Sequence, residues 1–148
     1  MQIKSSSIEN LPRIMEIIAD AQKYLAELNI DQWQDGYPDE AKIKLDIQNE
    51  DSYIILNENK EIMATTVFTT KTERAYQDLD GEWLTPEDNT YGVIHRLAVG
   101  NDYRSLGIAK YAMNFFETRL KAMKIDSMRI DTHRENKGMQ NLITKLGY

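Results

Sequence analysis

The sequence predicts an α/β fold in a single domain, on three observations. Nine segments follow one another as strand, helix, helix, strand, strand, strand, helix, strand, helix. The 148 residues are room for one domain, spanning 1–148, with no internal repeat or low-complexity linker to divide it. Hydrophobic residues make up 41% and charged ones 28%, ordinary proportions for a chain that buries one core.

Each segment has a local reason. Residues 2–7 alternate weakly and make a first strand. From Leu11, apolar side chains fall at Ile14, Met15, Ile18, Ala21, Leu25 and Leu28, which is helical spacing. Asn10-Leu11-Pro12 starts that helix with Pro in its first turn. Residues 29–39 form a loop holding Trp33, Gly36, Tyr37 and Pro38, and 40–48 a second helix. Residues 52–56 and 62–69 are β-rich, and Asn57 to Lys60 between them is a hairpin signal. Residues 71–90 are a long polar connection, and such connections are often functional. Tyr91 to Val99 is a strand of buried character, and Gly100 to Gly107 a loop. Ile108, Tyr111, Ala112, Phe115, Phe116, Leu120 and Met123 then mark an amphipathic helix, with Ile108, Phe115 and Phe116 expected in the core. Met128 to Thr132 is a short strand, and 136–146 a last helix with Gly147 as its stop.

Composition narrows function by exclusion. The chain has no cysteine and two histidines, so disulfides and thiolate chemistry are absent and a metal site is not expected. No apolar run reaches the ~18 residues of a membrane span, and Met1 to Ser7 lacks the build of a signal peptide, so a cytoplasmic protein without a membrane partner is expected. A net charge of −6 argues against nucleic acid as a partner. The charge is uneven: residues 91–148 carry ten Lys and Arg against five Asp and Glu, leaving the rest near −11. Either the C-terminal part holds an anionic ligand and the N-terminal part a cationic one, or these are two solvated faces.

The strand at 93–99, the loop Gly100-Asn-Asp-Tyr-Arg-Ser-Leu-Gly107 and the helix from Ile108 form a unit suited to phosphate. A helix start offers unpaired N–H groups and a positive dipole end. Gly107 lets backbone approach a ligand closely, and Arg104 adds charged donors. Gly100 and Gly107 are seven apart with Ile108 following, which excludes a Walker P-loop. The hexapeptide Arg104-Ser-Leu-Gly107-Ile-Ala109 resembles the Q/R-x-x-G-x-G/A signature of the GNAT superfamily of N-acetyltransferases. Leu97-Ala98-Val99 before it, Asn136 after a second strand and the closing Leu146-Gly-Tyr148 extend the resemblance along the whole chain.

The resemblance implies a mixed sheet flanked by helices that splays between strands 91–99 and 128–132, with acetyl-CoA as co-substrate in the opening. It implies pyrophosphate on the backbone of Arg104, Ser105, Leu106, Gly107, Ile108 and Ala109. It implies pantetheine paired along Leu97, Ala98 and Val99, with Asn136 in support. A homodimer is common in the family. This sequence departs from the pattern in three places. The usual acidic Tyr, seven residues after Asn136, is Ile143; the usual basic Glu is Val93; and this sequence stops at Tyr148, before the family's last one or two strands. If the protein itself lacks those strands, the strand at 128–132 has an open edge.

The implied reaction is direct transfer of an acetyl group to an amine, probed for a base and an oxyanion donor. His95 is the replacement base, or a core histidine; alternation would set it on one face with Val93, Leu97 and Val99, and Arg96 on the other. His133 would serve as acid, substrate or cofactor contact, or is a solvated loop residue, and Asp131 would orient an imidazole or pair with an Arg. Trp33, Tyr37 and, more weakly, Trp83 are acceptor-site candidates. Asp31, Asp35, Asp39 and Glu40 around the first two suit a small cationic amine. The missing Tyr and Glu motivate an alternative, a non-catalytic acyl-CoA-binding or regulatory module.

Overall fold

The computed structural model describes residues 1–71 and 90–148. Their elements run β1 (Gln2–Ser5), α1 (Leu11–Glu27), α2 (Glu40–Gln48), β2 (Ser52–Leu56), β3 (Ile62–Thr69), β4 (Gly92–Val99), α3 (Ile108–Ala122), β5 (Met128–Ile130) and α4 (Lys137–Lys145). The expected order is met, with ends displaced by a residue or two as usual for frayed termini. The 71–90 connection, with Trp83 in it, lies almost wholly outside the described residues.

The five strands stand in sequence order, β1-β2-β3-β4-β5. The first three pairings are antiparallel and β4 pairs parallel with β5, so the sheet is mixed. Alternation in β2 serves both faces. Ile54 and Leu56 join Ile14, Ile17 and Ile18 of α1 and Ile43 of α2 in one core cluster. Tyr53 joins Phe68, Ile94 and Met113, Phe116 and Leu120 of α3 in another, against which α4 lays Leu142, Ile143 and Leu146. The sheet is thus sandwiched between α1 with α2 and α3 with α4. Phe115, expected inside, is 37% exposed: it sits one residue before the fully buried Phe116, so it turns about 100° around the helix toward the edge of the apolar stripe.

Two irregularities of β4 shape everything downstream. The parallel pairing matches Gly92 with Met128, Val93 with Arg129 and Ile94 with Ile130, and there it ends. β4 runs five residues further, so among the described residues its edge beyond Ile94 faces no strand. Against β3, Thr65 pairs with Ala98 but Val67 with His95, so Thr66 opposes two residues of β4. The extra residue is a β-bulge, and Arg96 within it adopts φ +50°. A bulge shifts facing parity. Ile94 and Leu97, three apart, both face the α3 cluster, whereas Ala98 faces the α1 cluster. His95, next to Ile94, therefore faces the α1–α2 side. It does not share a face with Leu97 and Val99, as simple alternation would have it.

Gly92 anchors the paired end. A Cβ there would lie 2.6 Å from Leu120 Cδ1 and 2.9 Å from Phe68 Cε2. The Phe68 ring cannot retreat, being stacked on Phe116 at 4.4 Å between centroids. Gly92→Ala is expected to destabilise the fold by about 1–3 kcal/mol through overpacking, read as a melting temperature lowered by several degrees. An unchanged melting temperature would mean that α3 shifts freely against the sheet.

Candidate functional site

Where β4 and β5 part, a cleft of about 910 Å³ opens between the sheet, α1, the 29–39 loop, the start of α3 and the start of α4. Leu97, Ala98 and Val99 line it along the unpaired stretch of β4. Arg104, Ser105, Gly107, Ile108 and Ala109 line it at the α3 end. Asn136, Trp33, Tyr37 and His95 also belong to its walls. Leu106 and His133 do not: Leu106 is 60% exposed, and His133 Nδ1 accepts the Glu135 N–H within its own loop at 3.2 Å.

The α3 end is built from backbone. Gly107 is the residue before the helix and adopts φ +77°, which a side chain would strain. It caps α3 with no side-chain acceptor, so the first N–H groups of the helix stay open toward the cleft. A Cβ on Gly107 would meet nothing within 4 Å, so the space beside it is free for a ligand. Arg104 is less free than the sequence implied. Its Nε and Nη2 donate to Asn101 Oδ1 at 3.1 and 2.9 Å, and Nη2 donates to the Asp20 carbonyl at 3.3 Å. Its guanidinium also lies 3.9 Å from the centroid of Tyr24. Arg104 therefore bolts the loop to α1 while keeping its charge beside the helix start. Lys110 and Lys137 add two further cations to the cleft walls.

The opposite end is built from side chains. Arg96 makes a bidentate pair with Asp46 of α2, Nε to Oδ2 at 2.8 Å and Nη2 to Oδ1 at 2.7 Å, and Nη1 donates to the Tyr37 hydroxyl at 2.9 Å. Both ionic side chains are buried, 9% and 5% exposed, so this is a fully hydrogen-bonded interior ion pair. It fixes α2, the bulge and the 29–39 loop to one another. The same loop is tied to α1: Gln34 Nε2 donates to the Gln22 carbonyl and Gln22 Nε2 to the Tyr37 carbonyl, at 3.0 and 3.1 Å. His95 lies beside Asp131, with Nδ1 and Oδ1 3.7 Å apart. That is beyond hydrogen-bond reach, so the contact is a near approach of the two groups across the β4–β5 parting.

The four carboxylates expected around the acceptor lie elsewhere. Asp31, Asp35, Asp39 and Glu40 are absent from the cleft walls. Asp39 caps α2 by accepting the Lys42 N–H at 2.8 Å, and Glu40 pairs with Lys44 at 3.0 Å. Among the described residues, the carboxylates that line the cleft are Asp131 and Glu135, from the other wall. Sequence reasoning also passed over Tyr24 and Lys110. Both carry a periodic signal: Tyr24 follows Ala21 by three in the α1 stripe, and Lys110 stands in the first turn after Gly107. Strain gathers here as well, since Trp33 (φ +63°), Arg96 and Ser105 (φ +63°) are non-glycine residues in the left-handed region and all line the cleft. Among the described residues, no group of three or more His, Asp or Glu is placed to hold a metal, and no helix is long and apolar enough to cross a membrane.

Removing one partner of the buried pair isolates the other charge. Asp46→Ala is expected to cost about 3–5 kcal/mol, measured by denaturant unfolding. A loss below about 1 kcal/mol would show that the pair behaves like an exposed one.

The sequence matches the Acetyltransferase (GNAT) family over residues 18–148. No match is found among curated proteins. The fold is similar to a GNAT-family acetyltransferase of Streptococcus agalactiae, with TM-score 0.85 and 29% identity over 99% of this chain and 84% of that one. It is also similar to a putative acetyltransferase of Staphylococcus aureus, with TM-score 0.77 and 24% identity over 99% and 90%. A GNAT-family acetyltransferase of Listeria monocytogenes has the same fold, with TM-score 0.80 and 17% identity over 99% and 84%. With the family signature spanning nearly all of the chain and the cleft lying where the sheet splays, this protein belongs to the GNAT family of acetyltransferases.

Proposed function

We propose that the protein transfers the acetyl group of acetyl-CoA to the amine of a small cationic acceptor, directly and within a ternary complex. The observation that carries the reading is the parting of β4 from β5 beside the open start of α3. A thioester whose amide-bearing arm needs a strand-like partner, and whose phosphates need N–H groups and cations, finds both in one cleft. Leu97, Ala98 and Val99 would pair with the arm. Arg104, Ser105 and Gly107 to Ala109, with Lys110 at hand, would hold the pyrophosphate, and Asn136 would border the arm from the α4 side.

The acceptor would enter from the end walled by Trp33 and Tyr37. Aromatic faces and the carboxylates of Asp131 and Glu135 suit a cation. The amine nitrogen bonds to the thioester carbonyl carbon, the C–S bond breaks, and the sulfur leaves on CoA as a thiolate that takes a proton from water. The amine must shed a proton, and His95, on the acceptor side of the sheet, accepts it directly or through water. Asp131 lies beside that ring, with Oδ1 3.7 Å from Nδ1. Val93 is fully buried and Ile143 packs against the α3 cluster, and both are hydrocarbon side chains with no group to supply the base or acid of the family pattern. Of the two histidines, His95 lines the cleft and His133 does not, which supports His95 as the base.

Thiol release from acetyl-CoA against a panel of amines tests the reading. His95→Ala is expected to lower kcat by about 10²- to 10⁴-fold with acetyl-CoA affinity unchanged. Equal turnover would remove His95 from the mechanism. Gly107→Trp is expected to abolish acetyl-CoA binding in calorimetry, and full binding would displace the phosphates from the α3 start. Wild-type protein that binds acetyl-CoA yet releases no thiol with any amine would be a binding module.

A further inference from the structure

We infer that Gln32 is a positioning residue whose bond to Asn136 bridges the cleft and must be broken when acetyl-CoA enters; this rests on the function proposed above. Asn136 caps α4, its Oδ1 accepting the Met139 N–H at 3.1 Å. That contact orients the amide, because only the oxygen can accept from a backbone N–H. Its Nδ2 is thereby aimed across the opening, where it donates to Gln32 Oε1 at 2.9 Å. Gln32 and Asn136 both line the cleft, from the 29–39 loop and from the α4 end. Among the described residues theirs is the side-chain hydrogen bond that joins these two walls.

An occupant lying between the loop and α4 meets this bridge and displaces the Gln32 side chain. The loop itself stays in place, since Gln34, Gln22 and the Tyr37–Arg96 contact hold it to α1 and β4. The cleft is therefore competent only in the fraction of molecules whose bridge is open, and apparent affinity is reduced by that fraction. The side chain that bridges the two walls thus sets how tightly the donor binds. A purely structural bridge would act in the opposite direction, since losing it would loosen the site and weaken binding.

The test is calorimetric titration of acetyl-CoA into the wild-type protein and Gln32→Met, which keeps length and removes the acceptor oxygen. The variant is expected to bind acetyl-CoA about 2- to 10-fold more tightly, the range that one net hydrogen bond corresponds to. Equal or weaker binding by the variant, with wild-type binding intact, overturns the inference and leaves the proposed function standing. Wild-type protein that binds no acetyl-CoA overturns both. A measurement without substitution guards against a variant that folds poorly: on addition of acetyl-CoA, the side-chain amide signals of Gln32 in the NMR spectrum are expected to move to the values of a solvent-exposed glutamine. Signals that keep their positions overturn the inference.

Discussion

The short parallel pairing of β4 with β5 is the constraint on which the rest depends. Three residue pairs hold the strands together from Gly92 to Ile94, and then they part. Were the ladder continued to Val99, the cleft would be filled by backbone, and the start of α3 would open onto a sheet edge instead of a cavity. The paired end is locked from behind by Leu120, Phe68 and Phe116, packed so tightly that position 92 admits no side chain. The parted end is locked from the front by the Arg96–Asp46 pair, which holds the bulge to α2. The opening is therefore a product of packing on one side and of an interior ion pair on the other.

The bulge gives the cleft two chemistries from one strand. Before it, His95 faces the side of α1 and α2; after it, Leu97 returns to the side of Ile94. A regular strand would have placed His95 and Leu97 on one face. The reading frame change puts a titratable ring on the wall shared with Trp33 and Tyr37, while the backbone of 97–99 stays exposed along the edge. Arg96 carries the positive φ, and its guanidinium is engaged at three atoms, so the strain of the bulge is offset by the contacts of the residue that bears it.

Much of this was legible in the residues. Helical periodicity marked α1 and α3 because their apolar stripes are long. Gly107 before Ile108 marked the residue ahead of a helix start, where it adopts φ +77° and caps α3 without a side-chain acceptor. The bulge was not legible, since Arg96 is no glycine and nothing in Ile94-His-Arg-Leu97 departs from an ordinary buried strand. The face of His95 was therefore misjudged by one step of alternation. The carboxylates beside Trp33 and Tyr37 in sequence fall outside the cleft for a related reason. Asp39 and Glu40 sit next to Tyr37 in sequence, but the first is spent on capping α2 and the second on Lys44, while the carboxylates that reach the cleft come from Asp131 and Glu135, about a hundred residues away. Local composition reports which charges are present, and only the fold reports which wall they line.

Whether the gap between β4 and β5 receives acetyl-CoA can be read from backbone amide NMR during titration with acetyl-CoA. The largest shifts are expected on residues 97–99 and 105–110, with β1 and β2 unmoved. Shifts centred elsewhere, or a spectrum unchanged at saturating acetyl-CoA, would place the cofactor outside this gap.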